Sequence, residues 1–263
     1  FKKVILMREK VLGKEHLGTA NSYNNLAVVY MSIGRYKEAE ELFKKVLFIR
    51  EKVLGEDYLE LATGYCYNNL GVVYDIQGRY KEAEELYKKA ILIREKVLGK
   101  EHLDTVNGYN NLAMVYKSQG RYKEAEELYK RVLLKCEEVL GEEHPYTVTS
   151  YSNLAAMYES QGRYKEAEGL FKKAMLIREK VLGKEHIDTA NSYSNLAAEY
   201  MRQGRYKISL IYYTKAHKIF VSTLGVKHPS TQRSYASLKI TYLEWNPEGN
   251  FEQWLEEKMK ESD

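Results

Sequence analysis

The chain has 263 residues, 44% of them apolar, and its 41 basic residues against 37 acidic ones leave a net charge of +4. This balance excludes the basic stripe of a nucleic-acid binder, and the apolar runs are too short to span a membrane. Cys66 and Cys136 are the only cysteines; two lone thiols build no disulfide framework, are expected to be packed side chains, and fit a reducing cytoplasmic compartment. No charged-then-apolar leader opens the chain, so no secretion signal is expected.

Taken in chain order, Phe1-Lys-Lys-Val repeats Phe43-Lys-Lys-Val. The chain is therefore expected to open half-way through a helix, with residues 1–13 as a half repeat of a longer array. The string Gly-Arg-Tyr-Lys then begins at Gly34, Gly78, Gly120, Gly162 and Gly204, at intervals of 44, 42, 42 and 42 residues. Leu-Gly closes each unit at Gly13, Gly55, Gly99, Gly141, Gly183 and Gly225. These markers divide a single array into repeats at 14–55, 56–99, 100–141, 142–183 and 184–225. The longer second unit carries its two extra residues in the loop between Gly55 and Leu61.

Each repeat holds two helical patterns. Tyr23, Leu26, Ala27 and Tyr30 share one face of a first helix, at spacings of three and four. Gly34 then supplies the left-handed residue that ends it. Tyr36, Ala39, Leu42, Phe43, Val46, Leu47 and Val53 form the expected core face of a second helix. Its other face, Lys37, Glu38, Glu40, Glu41, Lys44 and Lys45, reads as solvated, with Glu40–Lys44 and Glu41–Lys45 as i,i+4 pairs. Residues 226–263 degenerate into an atypical repeat and cap. Ser209 stands where earlier second helices have alanine, Lys239 replaces a small residue, and Phe251, Trp254, Leu255 and Met259 form one stripe. Both tryptophans are expected in cap packing.

Tyr23-x2-Leu26-Ala27-x2-Tyr30 followed by Ala39-x3-Phe43 matches the tetratricopeptide repeat (TPR) signature. So do Tyr67, Leu70, Gly71, Tyr74, Ala83 and Tyr87, then Tyr109, Leu112, Ala113, Tyr116, Ala125 and Tyr129, then Tyr151, Leu154, Ala155, Tyr158, Ala167 and Phe171. Ile-Arg-Glu-Lys-Val-Leu-Gly-Lys-Glu-His at 93–102 and 177–186, with Asn-Asn-Leu-Ala at 24–27 and 110–113, resembles the kinesin light chain repeat. Nephrocystin-3-like proteins share this longer unit. The resemblance covers essentially the whole chain. It implies an all-α, right-handed TPR superhelical solenoid of antiparallel helix pairs.

Charge is sparse on the first helices: Asp75, Lys117, Glu159, Glu199 and Arg202 are all that residues 21–33, 65–77, 107–119, 149–161 and 191–203 contain. Amides take their place, although asparagine is a poor helix-interior residue. Two roles are open for them. They fix the stacking of neighbouring repeats, or they bond an extended peptide. Packed helices lie about 8–10 Å apart and a peptide rises about 3.3 Å per residue, so one amide per repeat meets roughly every third peptide residue. The resemblance implies the second role, with the peptide on the concave face. Carried over, the ladder is Asn25, Asn69, Asn111, Asn153 and Asn195, with Ser237 departing from it. Asn21, Asn107, Asn191, Lys117 and Arg202 are further candidates on the same helices. Kinesin light chains resemble basic grooves suited to acidic cargo, and the mixed charges here depart from that pattern.

Catalytic motifs are missing: there is no phosphate-binding glycine loop, nucleophile elbow or His-Glu-x-x-His. His16, His102, His144 and His186 recur once per repeat on separate loops and are expected to be structural, so neither metal nor cofactor is expected. The sequence reads as a non-enzymatic cargo or complex adaptor that binds a protein or peptide partner. The alternatives are a self-assembling scaffold and a sensor region of a larger regulatory protein. Weak self-association is expected through the N-terminal half repeat, where Phe1, Val4, Ile5 and Val11 match the core residues of the next second helix.

Overall fold

A computed structural model describes residues 2–55 and 60–260. Phe1 and the insertion at 56–59 lie outside the described residues. Among those described, all regular structure is helical, in thirteen helices. Contacts divide the chain into two units, Phe1–Lys135 and Cys136–Asp263, the division falling within α7.

The first unit holds α1 (Lys2–Leu12), α2 (Leu17–Ser32), α3 (Tyr36–Leu54), α4 (Leu61–Ile76), α5 (Tyr80–Leu98), α6 (Leu103–Ser118) and the start of α7 (Tyr122–Leu140). The second holds the end of α7, then α8 (Pro145–Ser160), α9 (Tyr164–Leu182), α10 (Ile187–Arg202), α11 (Tyr206–Leu224), α12 (Pro229–Trp245) and α13 (Phe251–Lys260). In each unit a first helix packs in a hairpin on its second helix, and that second helix packs on the next first helix.

Small residues set the packing within each hairpin. Ala27, Ala39 and Ala113 are fully buried, and the aromatic side chains of Phe43 and Tyr129 are buried as well. At Gly71 a Cβ would lie 2.9 Å from the Tyr87 ring, so this hairpin closes more tightly than alanine permits. The tight turn follows from Gly78, whose φ of 74° lets Arg79 N–H donate to the Tyr74 carbonyl (2.9 Å). The pattern is a Schellman cap. The longer loop between repeats is built differently. His102 Nδ1 accepts from the Asp104 N–H at 3.1 Å and Thr105 Oγ1 donates to the Gly99 carbonyl at 2.8 Å. His16, His144, His186 and His228 cap their helices in the same way. The loop histidines are therefore N-caps, satisfying donors that a helix start leaves open.

The arginine after the turn glycine ties neighbouring repeats together at Arg79, Arg121 and Arg205. Arg79 stacks on the Tyr74 ring at 3.7 Å and donates to Glu82 in its own second helix at 2.9 Å. It also donates to both oxygens of Glu40 in the preceding repeat, each at 3.0 Å. Arg121 makes the same set with Tyr116, Glu124 and Glu84. In the second unit Arg205 reaches Glu168 at 2.9 Å. Burial alone would raise Glu40, but hydrogen bonds from Lys44 and Arg79 outweigh it and hold the carboxyl at about 2. Glu84 sits at about 2 for the same reasons, with Lys88 and Arg121 as donors.

Three sequence expectations need correction. Glu40 is not part of a solvated face, because it is the acceptor of this tie, and the Glu41–Lys45 pair does not form; Lys45 instead lies over the Tyr23 ring at 3.9 Å. Val53 is not a core residue: it is 50% exposed, and Val97, Val139 and Val181 are similarly open. The second helices have 19 residues against 16 in the first helices, so their last turn overhangs its partner. Both tryptophans pack against Tyr242. Phe251 and Leu255 are buried with Leu210, Tyr213, Leu238 and Tyr242, Trp254 lies 5.0 Å from Tyr242, and Trp245 meets Tyr242 edge-on. Ser209 is accommodated by donating to the Ala197 carbonyl at 2.7 Å.

A carboxylate held below its unfolded value stabilises the fold above the unfolded pKa and loses that contribution as pH falls through the folded one. Thermal stability should therefore drop as pH falls from about 5 towards 2. Arg79→Ala should cost about 1 kcal/mol at neutral pH and flatten that acid dependence. Melting curves across this range check both, and an unchanged slope would show that the tie is not energetically coupled to folding.

Candidate functional site

The first helices of each unit carry one face that packing leaves largely free of charge. In the first unit, α2, α4 and α6 touch one another in sequence. Asn111 Nδ2 on α6 donates to Asn68 Oδ1 on α4 at 3.1 Å. One rung of the amide series thus serves stacking. Asn24 and Asn69 hold the equivalent places one repeat earlier but are not bonded there, and the Asn24 Oδ1 is buried without a partner.

The remaining candidates divide by whether their polar atoms are already engaged. Asn25 is exposed, Asn69 partly buried and Asn107 exposed, and none has a partner among the described residues. In the second unit the same holds for Asn191 and Asn195, both exposed, whereas Asn153 is engaged. Asn21 is exposed, but its Oδ1 accepts from the buried Arg50, which also pairs with Glu60. Lys117 on α6 makes no ion pair among the described residues. Arg202 on α10 is committed to Glu159 on α8. The structure thus separates free amides from engaged ones along what the sequence presents as a uniform series.

Burial raises the Asp75 carboxyl above the usual aspartate range, and among the described residues no cation faces it. Glu199 is fully buried in α10; its Oε1 accepts from Gln203 at 2.8 Å and its Oε2 has no partner. Glu199 is therefore not one of the charges of the first-helix face, contrary to expectation. The signal was present, since Val29, Val73, Val115 and Met157 stand at the matching positions. The arginines of the Ile-Arg-Glu-Lys string have a role that helix spacing alone does not show. Arg94 donates to the Asp104 carbonyl at 2.9 Å and Arg178 to Ser192 Oγ at 2.6 Å, each fastening a second helix to the following first helix.

Cys66 is buried and its thiol is pushed up to about 12 by burial, while burial also raises Cys136. Among the described residues no group of three or more His, Cys, Asp or Glu side chains converges to hold a metal, and no helix is long and apolar enough to cross a membrane.

A family model described as Tetratricopeptide repeat matches residues 65–134, 104–180, 147–207 and 188–247, and a second of the same description matches 19–57. No curated protein matches the sequence. Among solved structures, a kinesin light chain candidate of Podospora anserina with nearly identical TPR-like repeats is similar at 28% identity. The match covers 79% of this chain and 98% of that one, with a TM-score of 0.67. BtubC (BKLC) from P. vanneervenii shares the fold at 22% identity, covering 87% and 89% of the two chains, with a TM-score of 0.67. The TPR sensor protein PH0952 from Pyrococcus horikoshii, a STAND signal-transduction ATPase, shares it at 16% identity over 92% of this chain and 34% of that one, with a TM-score of 0.67. With the repeat model spanning more than half of the sequence, the chain belongs to the tetratricopeptide repeat family, and its repeats are of the kinesin light chain type.

Proposed function

We propose that the first-helix face of each unit binds an extended peptide or partner segment, and that the protein acts as a non-catalytic cargo or complex adaptor in the cytoplasm. The observation that carries this reading is the set of unengaged amides, Asn25 and Asn69 in the first unit and Asn195 in the second, on helices almost without charge. An amide offers both a donor and an acceptor, as a peptide backbone does. Side chains that are already ordered by helix packing lose little further freedom when they bond it. The similarity to a kinesin light chain candidate supports the adaptor role.

A second reading, self-association, is favoured by α1. Val4 is 47% exposed and Met7 67% exposed, whereas Val46 and Ile49 at the matching positions of α3 are buried. Ile5 is buried, so the open surface is narrower than the sequence suggested, although Val11 is 79% exposed against 50% for Val53 at the matching position.

Peptides selected from a displayed random library by the intact chain provide the test. Asn25→Ala, Asn69→Ala and Asn195→Ala together should abolish their binding and leave Tm unchanged. Asn111→Ala should instead lower Tm by roughly 2–4 °C, about 1 kcal/mol for one lost hydrogen bond. Retained binding in the triple variant would refute the groove. For the second reading, sedimentation should show weak dimerisation that Val4→Ser and Met7→Ser remove; a strict monomer at high concentration rules it out.

A further inference from the structure

The same carboxylate position on the first helices is filled in two different ways. Met31, Asp75, Lys117, Glu159 and Met201 occupy it in successive repeats. In the second unit, Glu159 on α8 is met by the Arg202 guanidinium from the end of α10. Tyr213 lies close enough that both charges act on its hydroxyl. Arg202 follows Glu159 by 43 residues, and the residue 43 after Asp75 is Ser118, an exposed serine at the end of α6. The first unit therefore has the carboxylate without the internal cation.

The surroundings of Asp75 are otherwise those of a cation site. Asp75 lies one helical turn after Gly71, whose missing Cβ admits the Tyr87 ring. Tyr87 is fully buried and its hydroxyl has no hydrogen-bond partner. Buried polar groups are ordinarily satisfied, so an orphan hydroxyl beside a lone carboxylate calls for a ligand. Burial raises Tyr87 and Tyr129, and the negative charge of Asp75 raises both further. Lys117, on the adjacent first helix, makes no ion pair with Asp75 among the described residues. At the matching places of the first repeat stand Met31 and Phe43, which offer neither charge nor hydroxyl.

We propose that Asp75 and the Tyr87 hydroxyl receive a basic side chain, arginine or lysine, of the bound peptide, in the place that Arg202 takes beside Glu159. This rests on the first-helix face being the binding face, and it assigns that face a charge preference opposite to acidic cargo. A guanidinium or ammonium brought to Asp75 gains a charge-assisted hydrogen bond and relieves an unpaired, partly buried carboxylate. Ser118 makes this position selective by its shortness: it leaves open the space that an arginine would close from within.

The experiment is a random linear peptide library displayed on phage, selected in parallel on the wild-type chain, Asp75→Asn and Ser118→Arg. Wild-type selections should converge on peptides with one fixed basic position. Both variants should lose that enrichment, and each should bind a wild-type-selected peptide about tenfold more weakly, as the loss of one charged hydrogen bond implies. Ser118→Arg keeps Asp75 in place and supplies the cation internally, so it carries the test even where Asp75→Asn perturbs folding. Wild-type peptides that lack a fixed basic residue yet lose binding in the Asn25, Asn69 and Asn195 variant would overturn the Asp75 assignment and leave the groove standing. Peptides indifferent to all of these changes, or no peptide retained at all, would overturn both.

Discussion

The arginine that follows the turn glycine, as at Arg79, Arg121 and Arg205, is the contact on which the stacking of repeats depends. A helix hairpin cannot bury its own apolar face, so a repeat is stable only when its neighbour is correctly placed. Arg79 provides that placement from one position, because its guanidinium is fixed by Tyr74 of α4, Glu82 of α5 and Glu40 of α3. Planarity lets one group stack and bond in two directions at once, which a lysine ammonium does not do. The Tyr109 hydroxyl, bonded to Glu95 of the preceding second helix, adds a second tie across the same kind of junction. Hydrophobic burial supplies the driving force, and these polar ties fix the register.

This arrangement also decides where charge is spent. The glutamates of the second helices are consumed by the arginine ties and by their own lysines, so the conspicuous charges of the sequence are largely structural. The first-helix face, the proposed binding face, keeps amides and a few isolated charges as its polar groups. The amides are not equivalent. Asn111 is used by Asn68 and Asn21 by Arg50, while Asn25, Asn69 and Asn195 are left with unused donors and acceptors. A helix accepts the cost of an interior asparagine for stacking at Asn68 and Asn111, and the proposed peptide binding would give the unengaged amides a second reason.

Much of the fold was legible because it is local and repeated. The turn at Gly78, the break at Gly99 and the apolar spacing from Tyr23 to Tyr30 all follow from backbone and periodicity rules that act within a few residues. The histidine loops were legible as structural, although their capping geometry was not. The ties were not read, because Arg79 and Glu40 are 39 residues apart and each looks like ordinary surface charge within its own helix. Val53 misled for a related reason: helical spacing shows which face an apolar residue occupies, not whether the partner helix is long enough to cover it. For the candidate site, composition located the charge-poor face. Which amides are engaged depends on side-chain contacts between repeats that no single repeat contains. The contrast between Glu159 with Arg202 and Asp75 with Ser118 lies in the sequence, but it acquires meaning only when the first pair is seen in contact.

The account makes recognition a property of the first-helix face and treats the second helices as scaffold. Site-specific photo-crosslinking measures that division directly. A photoreactive residue placed at Asn69 on α4, or at the exposed Leu92 on α5, reports which face a bound peptide touches. The account predicts efficient crosslinking of library-selected peptides from Asn69 and none from Leu92. Crosslinks from Leu92 alone would place the partner on the second helices and contradict it.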